Sequence, residues 1–513
     1  MTAPGTVYLV GAGPGDPELI TARGLRRLRE ADVVLYDALV HPEQLSAARP
    51  DAELVFVGKR AGRASQRQAE INRQLVEAAR AGKTVVRLKG GDPYLFGRGS
   101  EEAELLASEG IPFEVVPGVP SPLAATAYAG LSLTHRTLAS SVAYVTATES
   151  VEKDRTDHDW SKLATATQTL VIFMGMRKLD SLSRLLIEHG RPADTPVAVV
   201  QWASLPKQRT IVGTLADIHQ RASNAGLGLP ALTIVGEVVR LRSNLRWFDT
   251  KPLFGKRIVV TRAIHQAGSL ASRLRDEGAQ AILAPTIRIA PPVDLAPLRS
   301  AVKGLDRYDW ILFTSANTVE AVFSSIDEAG LDLRALAGAK VCAIGSKTLE
   351  ALRAHGLKAD LVAADARAEG VIRAIRPLLG ERTRILLPRA EVAREVLPES
   401  LRNAGAQVDV PTAYRNLPPE PKDVERIRNL VDRRESDAVL FTSSSTVQHL
   451  FELLGPDASD RLGALDLFSI GPVTTSTAEG LGLHIAATSA EQTIESLVAT
   501  VRAYYAPAGD ADA

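Results

Sequence analysis

The stretch Lys89-Gly-Gly-Asp-Pro-Tyr-Leu-Phe-Gly-Arg-Gly99 combines residue types that bind ligands. It packs four glycines, a proline, two aromatic side chains and two cations into eleven residues, directly after the apolar run 85–88. Gly90 and Gly91 let a ligand approach the backbone closely, and Asp92 is expected to accept hydrogen bonds from ligand hydroxyl or amine groups. We therefore expect a binding loop here rather than a plain connection.

A second glycine-rich stretch, Gly11-Ala-Gly-Pro-Gly-Asp16, lies where an apolar strand pattern gives way to a helical pattern. A dinucleotide fingerprint needs a glycine where Asp16 stands, which argues against a nicotinamide dehydrogenase. The residues leave two interpretations open, a turn whose backbone contacts a ligand and a tight turn with a purely structural role.

Apolar runs alternate with helical patterns through the first half of the chain. Helices are predicted at 18–30 and 66–81. Strands are predicted at 7–10, 33–36, 54–57, 85–88, 142–145, 170–174, 197–200 and 232–235. This alternation predicts an α/β fold with a largely parallel sheet.

The chain divides where the regular pattern stops, in the Pro- and Gly-containing segment 246–255. We predict one domain over 1–248, a linker over 249–255, a second domain over 256–505 and a disordered tail over 506–513.

The second half contains an internal repeat. Asp309-Trp-Ile-Leu-Phe-Thr-Ser-Ala-Asn-Thr-Val319 recurs 128 residues downstream as Asp437-Ala-Val-Leu-Phe-Thr-Ser-Ser-Ser-Thr-Val447, and three shorter matches occur in the same order along the chain at offsets of 126 or 127. This predicts two similar α/β lobes with a cleft between them, and ligands of such sheets bind at the carboxyl ends of the strands.

Composition narrows the function classes. The 513 residues suggest three or four compact units, and 60 Lys+Arg against 60 Asp+Glu give zero net charge, which disfavours nucleic acid and acidic membranes as partners. The single cysteine, Cys342, rules out an intramolecular disulfide and cysteine-based zinc or iron–sulfur sites, and we expect it to be a buried apolar residue. We expect no bound metal, and we interpret the acidic stretch with Asp154, Asp157, His158 and Asp159 as a solvated loop.

With no targeting signal and no apolar run of about 18 residues, a cytoplasmic protein is expected.

Further motifs occur across residues 5–248. They are Val10-Gly-Ala-Gly-Pro-Gly-Asp16, Leu35-Tyr-Asp-Ala-Leu39, Val57-Gly-Lys-Arg-Ala-Gly62, the 89–99 loop, Val116-Pro-Gly118, Ala125-Thr-Ala-Tyr-Ala-Gly130, Leu133-Thr-His-Arg136 and Phe173-Met-Gly175. Together they closely resemble the S-adenosylmethionine-dependent uroporphyrinogen-III C-methyltransferases of the tetrapyrrole methylase family. Gly58-Lys-Arg60, Phe96-Gly-Arg-Gly99 and Thr134-His-Arg136 are typical of the members that act on uroporphyrinogen III.

This resemblance implies roles for individual residues. Asp37 matches a proposed proton acceptor and Lys59 a proposed proton donor, although Asp37 could instead cap a helix and Lys59 could end a solvated strand. Arg60, Arg63, Arg98 and Arg136 are expected, as a group, to bind the eight carboxylates of the substrate. S-adenosylmethionine, released as S-adenosylhomocysteine, is expected to contact Pro14, Gly90, Gly91, Asp92, Leu95, Thr126, Ala127, Met174 and Ala203. The family is commonly dimeric, so a homodimer formed through this half is expected.

Two departures from the family pattern concern the cofactor. Thr146-Ala-Thr148 replaces the usual Thr-Gly-His, and Trp202-Ala-Ser204 replaces a segment with a Gly-Thr pair. An alanine at position 203 costs little if its φ is negative and more if its φ is positive.

In the second half, predicted strands end in Thr314-Ser-Ala-Asn317 and Thr442-Ser-Ser-Ser445. Small hydroxyl residues at such junctions cap the following helix and orient its N–H groups toward an anion. With Ile344-Gly-Ser346, Ile470-Gly-Pro472, Leu387-Pro-Arg389 and Ala413-Tyr-Arg415, residues 255–505 resemble uroporphyrinogen-III synthase, a family that needs no cofactor.

This second resemblance implies a cleft. Its substrate contacts are expected at Thr314, Ser315, Thr348, Thr442, Ser443 and Thr474. Tyr414 is expected to assist loss of the substrate hydroxyl, although it could instead be a packing aromatic at the hinge. In the family each lobe takes strands from both ends of the domain, with hinges expected here near 287–292 and 414–420.

The two resemblances together predict a bifunctional enzyme. One half would cyclise hydroxymethylbilane to uroporphyrinogen III with inversion of ring D. The other would methylate that product at C2 and C7 to give precorrin-2, which leads to sirohaem and cobalamin. The alternative is an active methyltransferase joined to a catalytically inactive, synthase-like binding module.

Overall fold

A computed structural model describes residues 4–58, 68–147, 158–262, 264–363, 368–380, 382–393 and 395–506. The chain forms two compact units. Unit 1 comprises Met1–Arg257, Ser272–Ala281 and Val501–Ala513, and unit 2 comprises Ile258–Ala271 and Ile282–Thr500. Leu253 lies in the predicted linker and Phe248 directly before it, and they are 0% and 4% exposed. This segment is therefore packed as part of unit 1.

Unit 1 begins with lobe A, a five-stranded sheet with helices around it. Its strands are β1 (Val7–Gly11), β2 (Val33–Tyr36), β3 (Glu53–Phe56), β4 (Val85–Lys89) and β5 (Phe113–Val116). Its helices are α1 (Ala22–Glu30), α2 (Pro42–Leu45), α3 (Gln68–Arg80), α4 (Gly99–Ser108) and α5 (Ser121–Tyr128). The strand order is β3-β2-β4-β1-β5 and every neighbouring pair is parallel, so all five carboxyl ends share one edge.

The first predicted helix, over 18–30, begins later than expected. Asp16 caps a short 3-10 turn at Pro17–Leu19, and the hydroxyl of Thr21 accepts the N–H of Gly24 to cap α1. The chain is extended at Ile20 and Thr21, so the helical pattern is two elements rather than one.

Lobe B completes unit 1. Its strands are β6 (Val142–Thr146), β7 (Thr169–Phe173), β8 (Pro196–Gln201), β9 (Arg209–Thr214) and β10 (Ala231–Val235), and its helices are α6 (Trp160–Ala166), α7 (Leu179–Glu188), α8 (Ile218–Asn224) and α9 (Arg242–Leu245). The order is β6-β7-β10-β8-β9, with a parallel β6–β7 pair and antiparallel pairs elsewhere. The predicted parallel sheet is therefore confirmed for lobe A and wrong for lobe B, because a short turn returns β8 into the unpredicted strand β9.

Except for Arg257 and the stretches 272–281 and 501–505, which belong to unit 1, the remaining elements lie in unit 2. Its strands are β11 (Arg257–Val260), β12 (Gln280–Leu283), β13 (Arg288–Ala290), β14 (Trp310–Phe313), β15 (Lys340–Ile344), β16 (Leu361–Ala363), β17 (Arg384–Leu386), β18 (Arg389–Ala390), β19 (Gln407–Asp409), β20 (Thr412–Leu417), β21 (Ala438–Phe441), β22 (Asp466–Ser469) and β23 (Ala487–Thr488). Its helices are α10 (Ile264–Asp276), α11 (Ala296–Lys303), α12 (Ala316–Glu328), α13 (Ser346–Ala354), α14 (Ala368–Ile375), α15 (Val396–Asn403), α16 (Pro421–Asp432), α17 (Ser444–Leu454), α18 (Ala458–Leu462), α19 (Pro472–Gly480) and α20 (Ile494–Tyr505).

The internal repeat is visible as two sheets of the same design. Lobe C has the order β12-β11-β21-β22-β23, and lobe D has the corresponding order β19-β17-β14-β15-β16. Apart from β13, β18 and β20, which form a separate sheet, each lobe combines the first two strands of one repeat with the last three of the other. Lobe C thus takes strands from both ends of the domain as expected, whereas lobe D is built from its middle, which corrects the expectation for that lobe.

A three-stranded sheet, β13-β20-β18, joins lobes C and D. Arg288 pairs with Leu417 and Ala290 with Arg415 in an antiparallel ladder, so both hinge segments lie close to the expected positions. Cys342 on β15 is fully buried in the core of lobe D, as predicted. Across the described part of the chain, the helices are all too short or too polar to cross a membrane.

Candidate functional site

The loops after β1, β4 and β5 meet at the carboxyl edge of lobe A. Gly13 and Gly91 exchange two backbone hydrogen bonds, of 3.2 and 2.9 Å. A Cβ added to Gly118 would lie 2.2 Å from the carbonyl oxygen of Gly91, and one added to Gly11 would lie 2.5 Å from the Cα of Gly118. Glycine at 11 and 118 is therefore required by the contact between loops, which supports the structural interpretation of the glycine-rich stretch that begins at Gly11.

Gly91 differs from these glycines because space lies beside it. Its φ is +72°, and an added Cβ would meet only the backbone nitrogen of Ser121, at 3.8 Å. The backbone thus forms a small cradle that a side chain would fill. Gly90 is closed in by Leu39, whose Cβ would lie 2.8 Å from a Cβ at position 90.

Asp92 stabilises its own loop. Its Oδ1 accepts the N–H groups of Tyr94 and Leu95, at 2.8 and 3.1 Å, and its Oδ2 accepts the N–H of Gly118 at 3.1 Å. The carboxylate therefore ties the 89–99 loop to the loop after β5, and the ligand contact expected of it stays a prediction.

Asp37 follows β2 at the same edge, with its side chain 29% exposed. The N–H of Gly90 donates to its Oδ1 at 3.4 Å, and Nη2 of Arg87 donates to its Oδ2 at 3.3 Å. The helix that follows, α2, is capped by the imidazole of His41, so Asp37 does not serve as its cap.

Large apolar side chains are exposed around the 89–99 loop. Leu39, Tyr94, Phe96 and Met174 are between 40% and 53% exposed, and the rings of Phe96 and Phe173 pack 4.7 Å apart. Phe96 and Met174 also have positive φ angles, of 54° and 53°. Backbone strain of this kind is concentrated at ligand sites, and it occurs here in the 89–99 loop and directly after β7.

Helix α5 places two expected cofactor residues differently. Thr126 is 4% exposed and its hydroxyl donates to the carbonyl of Pro122, so its side chain serves the helix. Ala127 is exposed, and its carbonyl accepts the indole N–H of Trp247 at 2.7 Å. Leu95 is half-buried against the lobe B core.

The loop after β8 contacts the glycine-rich turn that contains Pro14. The hydroxyl of Ser204 donates to the carbonyl of Pro14 and accepts the N–H of Asp16 at 3.0 Å. Trp202 and Ser204 have positive φ, whereas Ala203 does not. The alanine at position 203 therefore carries no left-handed strain.

A tyrosine in α5 completes this contact. The hydroxyl of Tyr128 donates to Oδ2 of Asp16 at 2.8 Å. Burial, followed by this hydrogen bond, raises the pKa of Tyr128 well above its ordinary value, so the phenol stays protonated as a donor.

The expected substrate arginines are only partly described. Arg98 and Arg136 are exposed, and Arg98 forms a two-pronged ion pair with Glu101. Lys59, Arg60 and Arg63 lie outside the described residues.

Three charged residues lie under Asp37; motif analysis missed Arg87 and Glu102 and included Lys89 only as a cation of the 89–99 stretch. Arg87 and Lys89 project from β4 and Glu102 from α4, and all three are buried and joined by ion pairs. A signal was present in the sequence, since an arginine inside the run Val85–Lys89 is unusual for a parallel strand buried on both faces.

Two residues of the acidic stretch near residue 158 make structural hydrogen bonds. The imidazole of His158 hydrogen-bonds the carbonyl of Thr146 at 2.8 Å, and Asp159 caps α6. Asp154 and Asp157 lie outside the described residues. Within the described ranges, no three His, Cys, Asp or Glu side chains are grouped so that they could hold a metal ion.

In unit 2, the two repeats form the same strand–helix junction. Ser315 caps α12, with Thr318 returning a hydrogen bond to complete a capping box. Ser443 caps α17 with the identical arrangement to Thr446. Thr314 and Thr442 precede these caps and are half-buried.

Tyr414 lies on hinge strand β20 and packs against the lobe D core. Its hydroxyl is 3.4 Å from that of Ser315. Thr348 and Thr474 are 2% and 5% exposed, and the hydroxyl of Thr348 donates to the carbonyl of Ile344. The substrate contacts expected of the two threonines stay predictions.

Unit 2 also holds two cations that the motifs did not single out. Burial lowers the pKa of Arg262, which follows β11 in lobe C. Burial, and then the charge of Arg262, lowers the pKa of Lys347 at the start of α13 in lobe D. The half-buried Arg262 and the exposed Lys347, from different lobes, therefore lie within electrostatic reach of each other.

Comparison with known proteins agrees with this division of the chain. The family model of tetrapyrrole (corrin/porphyrin) methylases matches residues 6–219, and that of uroporphyrinogen-III synthase HemD matches residues 268–499. The porphyrin biosynthesis protein HemD of Ruminiclostridium josui is 36% identical over 495 residues, which cover 96% of this chain and 97% of that protein. The uroporphyrinogen-III C-methyltransferase of Bacillus subtilis is 39% identical over 369 residues, which cover 72% of this chain and 75% of that protein.

A solved structure is also similar to the first half. It is the uroporphyrin-III C-methyl transferase of Thermus thermophilus complexed with S-adenyl homocysteine, with 44% sequence identity and a TM-score of 0.40. The match covers 46% of this chain and 94% of that one.

Proposed function

Because the chain belongs to the family of porphyrin biosynthesis proteins that join a tetrapyrrole methylase to a uroporphyrinogen-III synthase, we propose that it catalyses two consecutive steps. Unit 2 cyclises hydroxymethylbilane to uroporphyrinogen III with inversion of ring D. Unit 1 methylates that product at C2 and C7 to give precorrin-2. The methylase assignment rests on one observation. Asp37 and the Gly91 cradle lie at the same edge of lobe A.

The cradle is proposed to hold S-adenosylmethionine. The open space beside Gly91 and the exposed Met174 and Ala127 provide backbone groups and an apolar surface for an adenosyl group. When bound, S-adenosylmethionine supplies an electrophilic methyl group. The hydroxyl of Ser204 holds the Pro14 turn in place, so the loops of lobes A and B that would hold the cofactor are oriented together.

The proposed substrate is an octa-anionic macrocycle whose centre is built of four pyrrole rings joined by tetrahedral methylene bridges, so that it is puckered and not flat. The exposed side chains of Leu39, Tyr94 and Phe96 offer an apolar surface for that centre. Arg98 and Arg136, together with Arg60 and Arg63, are proposed to bind the carboxylates. Zero net charge is compatible with this, because only the site needs an excess of positive charge.

Asp37 is proposed to take the proton that the substrate ring loses after methyl transfer. Lys59 is proposed to donate a proton to that ring as it rearranges. The Asp37 carboxylate is held from two sides and partly exposed, which suits a positioned base. Asp37→Asn is expected to bind S-adenosylmethionine normally in calorimetry and to slow methylation about 100-fold. Asp51→Asn, an exposed site, is the control. Unchanged turnover in Asp37→Asn would refute the role.

Unit 2 is proposed to bind hydroxymethylbilane at the capped helix starts of Thr314-Ser315 and Thr442-Ser443, whose N–H groups favour carboxylates. Arg262 and Lys347 add positive charge. The Tyr414 phenol is proposed to give its proton to the departing hydroxyl, which leaves as water, and to regain a proton when the ring carbon that forms the new bond loses one on closure.

The alternative is that unit 2 is an inactive binding module. The full-length protein distinguishes the two, because its two steps are assayed separately. Hydroxymethylbilane without S-adenosylmethionine reports the synthase, and uroporphyrinogen III with S-adenosylmethionine reports the methylase. A normal methylase rate with only the spontaneous type I isomer from hydroxymethylbilane would support the inactive module.

We also propose a homodimer formed through unit 1. Light scattering on the purified protein is expected to give twice the mass of the 54.8 kDa chain, and a monomer mass would exclude it.

A further inference from the structure

A group of buried charges lies beneath Asp37. Arg87 and Lys89 have side chains that are 4% exposed, and the side chain of Glu102 is 0% exposed. Nζ of Lys89 donates to both carboxylate oxygens of Glu102, at 3.0 and 3.1 Å, and Nε of Arg87 donates to its Oε1 at 3.2 Å. Gln68 of α3 donates to the same Oε1 at 3.0 Å. Glu102 is thus the anion at the centre of this group.

Arg87 connects Glu102 to Asp37. While its Nε contacts Glu102, its Nη2 donates to Oδ2 of Asp37 at 3.3 Å. Its Nη1 donates to the carbonyls of Leu88 and Leu35, at 3.1 and 3.4 Å. All three nitrogens of the guanidinium have partners, so its plane is held in one orientation and so is the carboxylate beyond it.

Stability alone does not explain this arrangement. Burying ion pairs costs desolvation energy, and replacing such a group by apolar residues of similar volume is often neutral or stabilising. The other residues of β4, Val85, Val86 and Leu88, are apolar and buried. The only charged side chains of this strand, Arg87 and Lys89, therefore belong to the buried group beneath Asp37.

We propose that Glu102 is a positioning residue for methyl transfer, which neutralises Lys89, orients Arg87 and through Arg87 sets the position and the basicity of the Asp37 carboxylate. This rests on the proposed function of Asp37 as proton acceptor. Among the described residues, the charged groups around Asp37 are Arg87 and Lys89 on β4 and Glu102 on α4. They include two cations and, with Asp37, two carboxylates, so the group is balanced.

The balance makes the sign of each substitution predictable. Glu102→Gln leaves two cations beside one carboxylate, so the Asp37 carboxylate is stabilised and the acid limb of the methylation profile is expected to move to lower pH. Lys89→Met leaves one cation beside two carboxylates, so the acid limb is expected to move to higher pH. The double variant again pairs one cation with one carboxylate and is expected to resemble the parent protein.

The experiment is the pH profile of kcat/KM for methylation of uroporphyrinogen III by the full-length protein. The acid limb is expected to move about one pH unit lower in Glu102→Gln, about one unit higher in Lys89→Met, and back to the parent position in the double variant. S-adenosylmethionine affinity, measured by calorimetry, is expected to stay within about twofold. Glu104→Gln, an exposed site on the same helix, is the control.

Acid limbs that coincide in all variants would overturn the proposal. If Glu102→Gln does not fold, the pH profile of Lys89→Met tests the proposal by itself. In that variant Glu102 still has Arg87 and Gln68 as hydrogen-bond partners. Failure of the underlying function gives a different result, since Asp37→Asn would then methylate at the parent rate. An impaired Asp37→Asn with unmoved limbs in the other variants rejects only the role of Glu102.

Discussion

The hydroxyl of Tyr414, on the hinge strand of unit 2, lies 3.4 Å from the hydroxyl of Ser315, which caps the first helix after β14 in lobe D. One side chain therefore links the hinge to a helix start that is proposed to bind a substrate carboxylate. This contact is compatible with both interpretations of Tyr414, a packing aromatic and a catalytic phenol. An experiment distinguishes the two.

Tyr414→Phe keeps the ring and its packing and removes only the hydroxyl. If the phenol assists loss of water, kcat for uroporphyrinogen III formation falls about 100-fold while the thermal midpoint changes little. Tyr308→Phe is the matched control, because it removes a hydroxyl that donates to Asp409 at 2.6 Å within the same lobe. That control should cost about 1 kcal/mol of stability and leave kcat unchanged. A packing role would leave kcat unchanged in both variants.

Gly91→Ala tests the cofactor cradle. The added methyl group fills the space beside the backbone, so S-adenosylmethionine affinity measured by calorimetry is expected to fall at least about tenfold. Gly110→Ala has the same backbone cost, since its φ is +66° and an added Cβ meets nothing within 4 Å. Both variants should lose about 1 kcal/mol of stability, and only Gly91→Ala should lose affinity. Equal affinities would place the cofactor elsewhere.

Ala203→Gly tests whether the departure from the family pattern weakens cofactor binding. Because the φ of Ala203 is not positive, restoring glycine relieves no strain. We expect S-adenosylmethionine affinity within about twofold of the parent value. The contrasting variant is Ser204→Ala, which removes the hydrogen bonds to Pro14 and Asp16 and should weaken affinity several-fold. A large gain in Ala203→Gly would show that the alanine is costly.

Cys342 gives a pH dependence with a definite sign. Burial raises the pKa of its thiol from 9.0 to about 11, so the folded state disfavours the thiolate. The contribution is fully present below pH 9 and is lost as the pH rises through 11, by an amount on the order of 2–3 kcal/mol. Denaturant unfolding of the parent and Cys342→Ala proteins should therefore show the difference in stability shrinking between pH 8 and pH 11. A constant difference would contradict the assignment.

Periodicity and repeats predicted the architecture well. The repeat about 127 residues apart predicted two similar lobes in unit 2, and lobes C and D have matching strand orders. Periodicity could not show the start of α1, which depends on the Thr21 cap, or the antiparallel strands of lobe B, which depend on the turn between β8 and β9.

The site was predicted less completely than the fold. Glycine positions mark close approach of backbones, and Gly11 and Gly118 confirm that rule at the loop contact. The positive φ of Ser204 could not be foreseen, because it is imposed by contacts with a turn nearly two hundred residues away in sequence. Arg87 was overlooked because an apolar run was interpreted as a plain strand, although a cation in a buried strand indicates a partner such as Glu102.

The central claim is that one chain performs both steps, and one measurement tests it directly. Full-length protein is incubated with hydroxymethylbilane and S-adenosylmethionine, and the products are identified by mass spectrometry and isomer-resolving chromatography. The account predicts a doubly methylated product derived from the type III isomer. Unmethylated type I uroporphyrinogen as the sole product would contradict it.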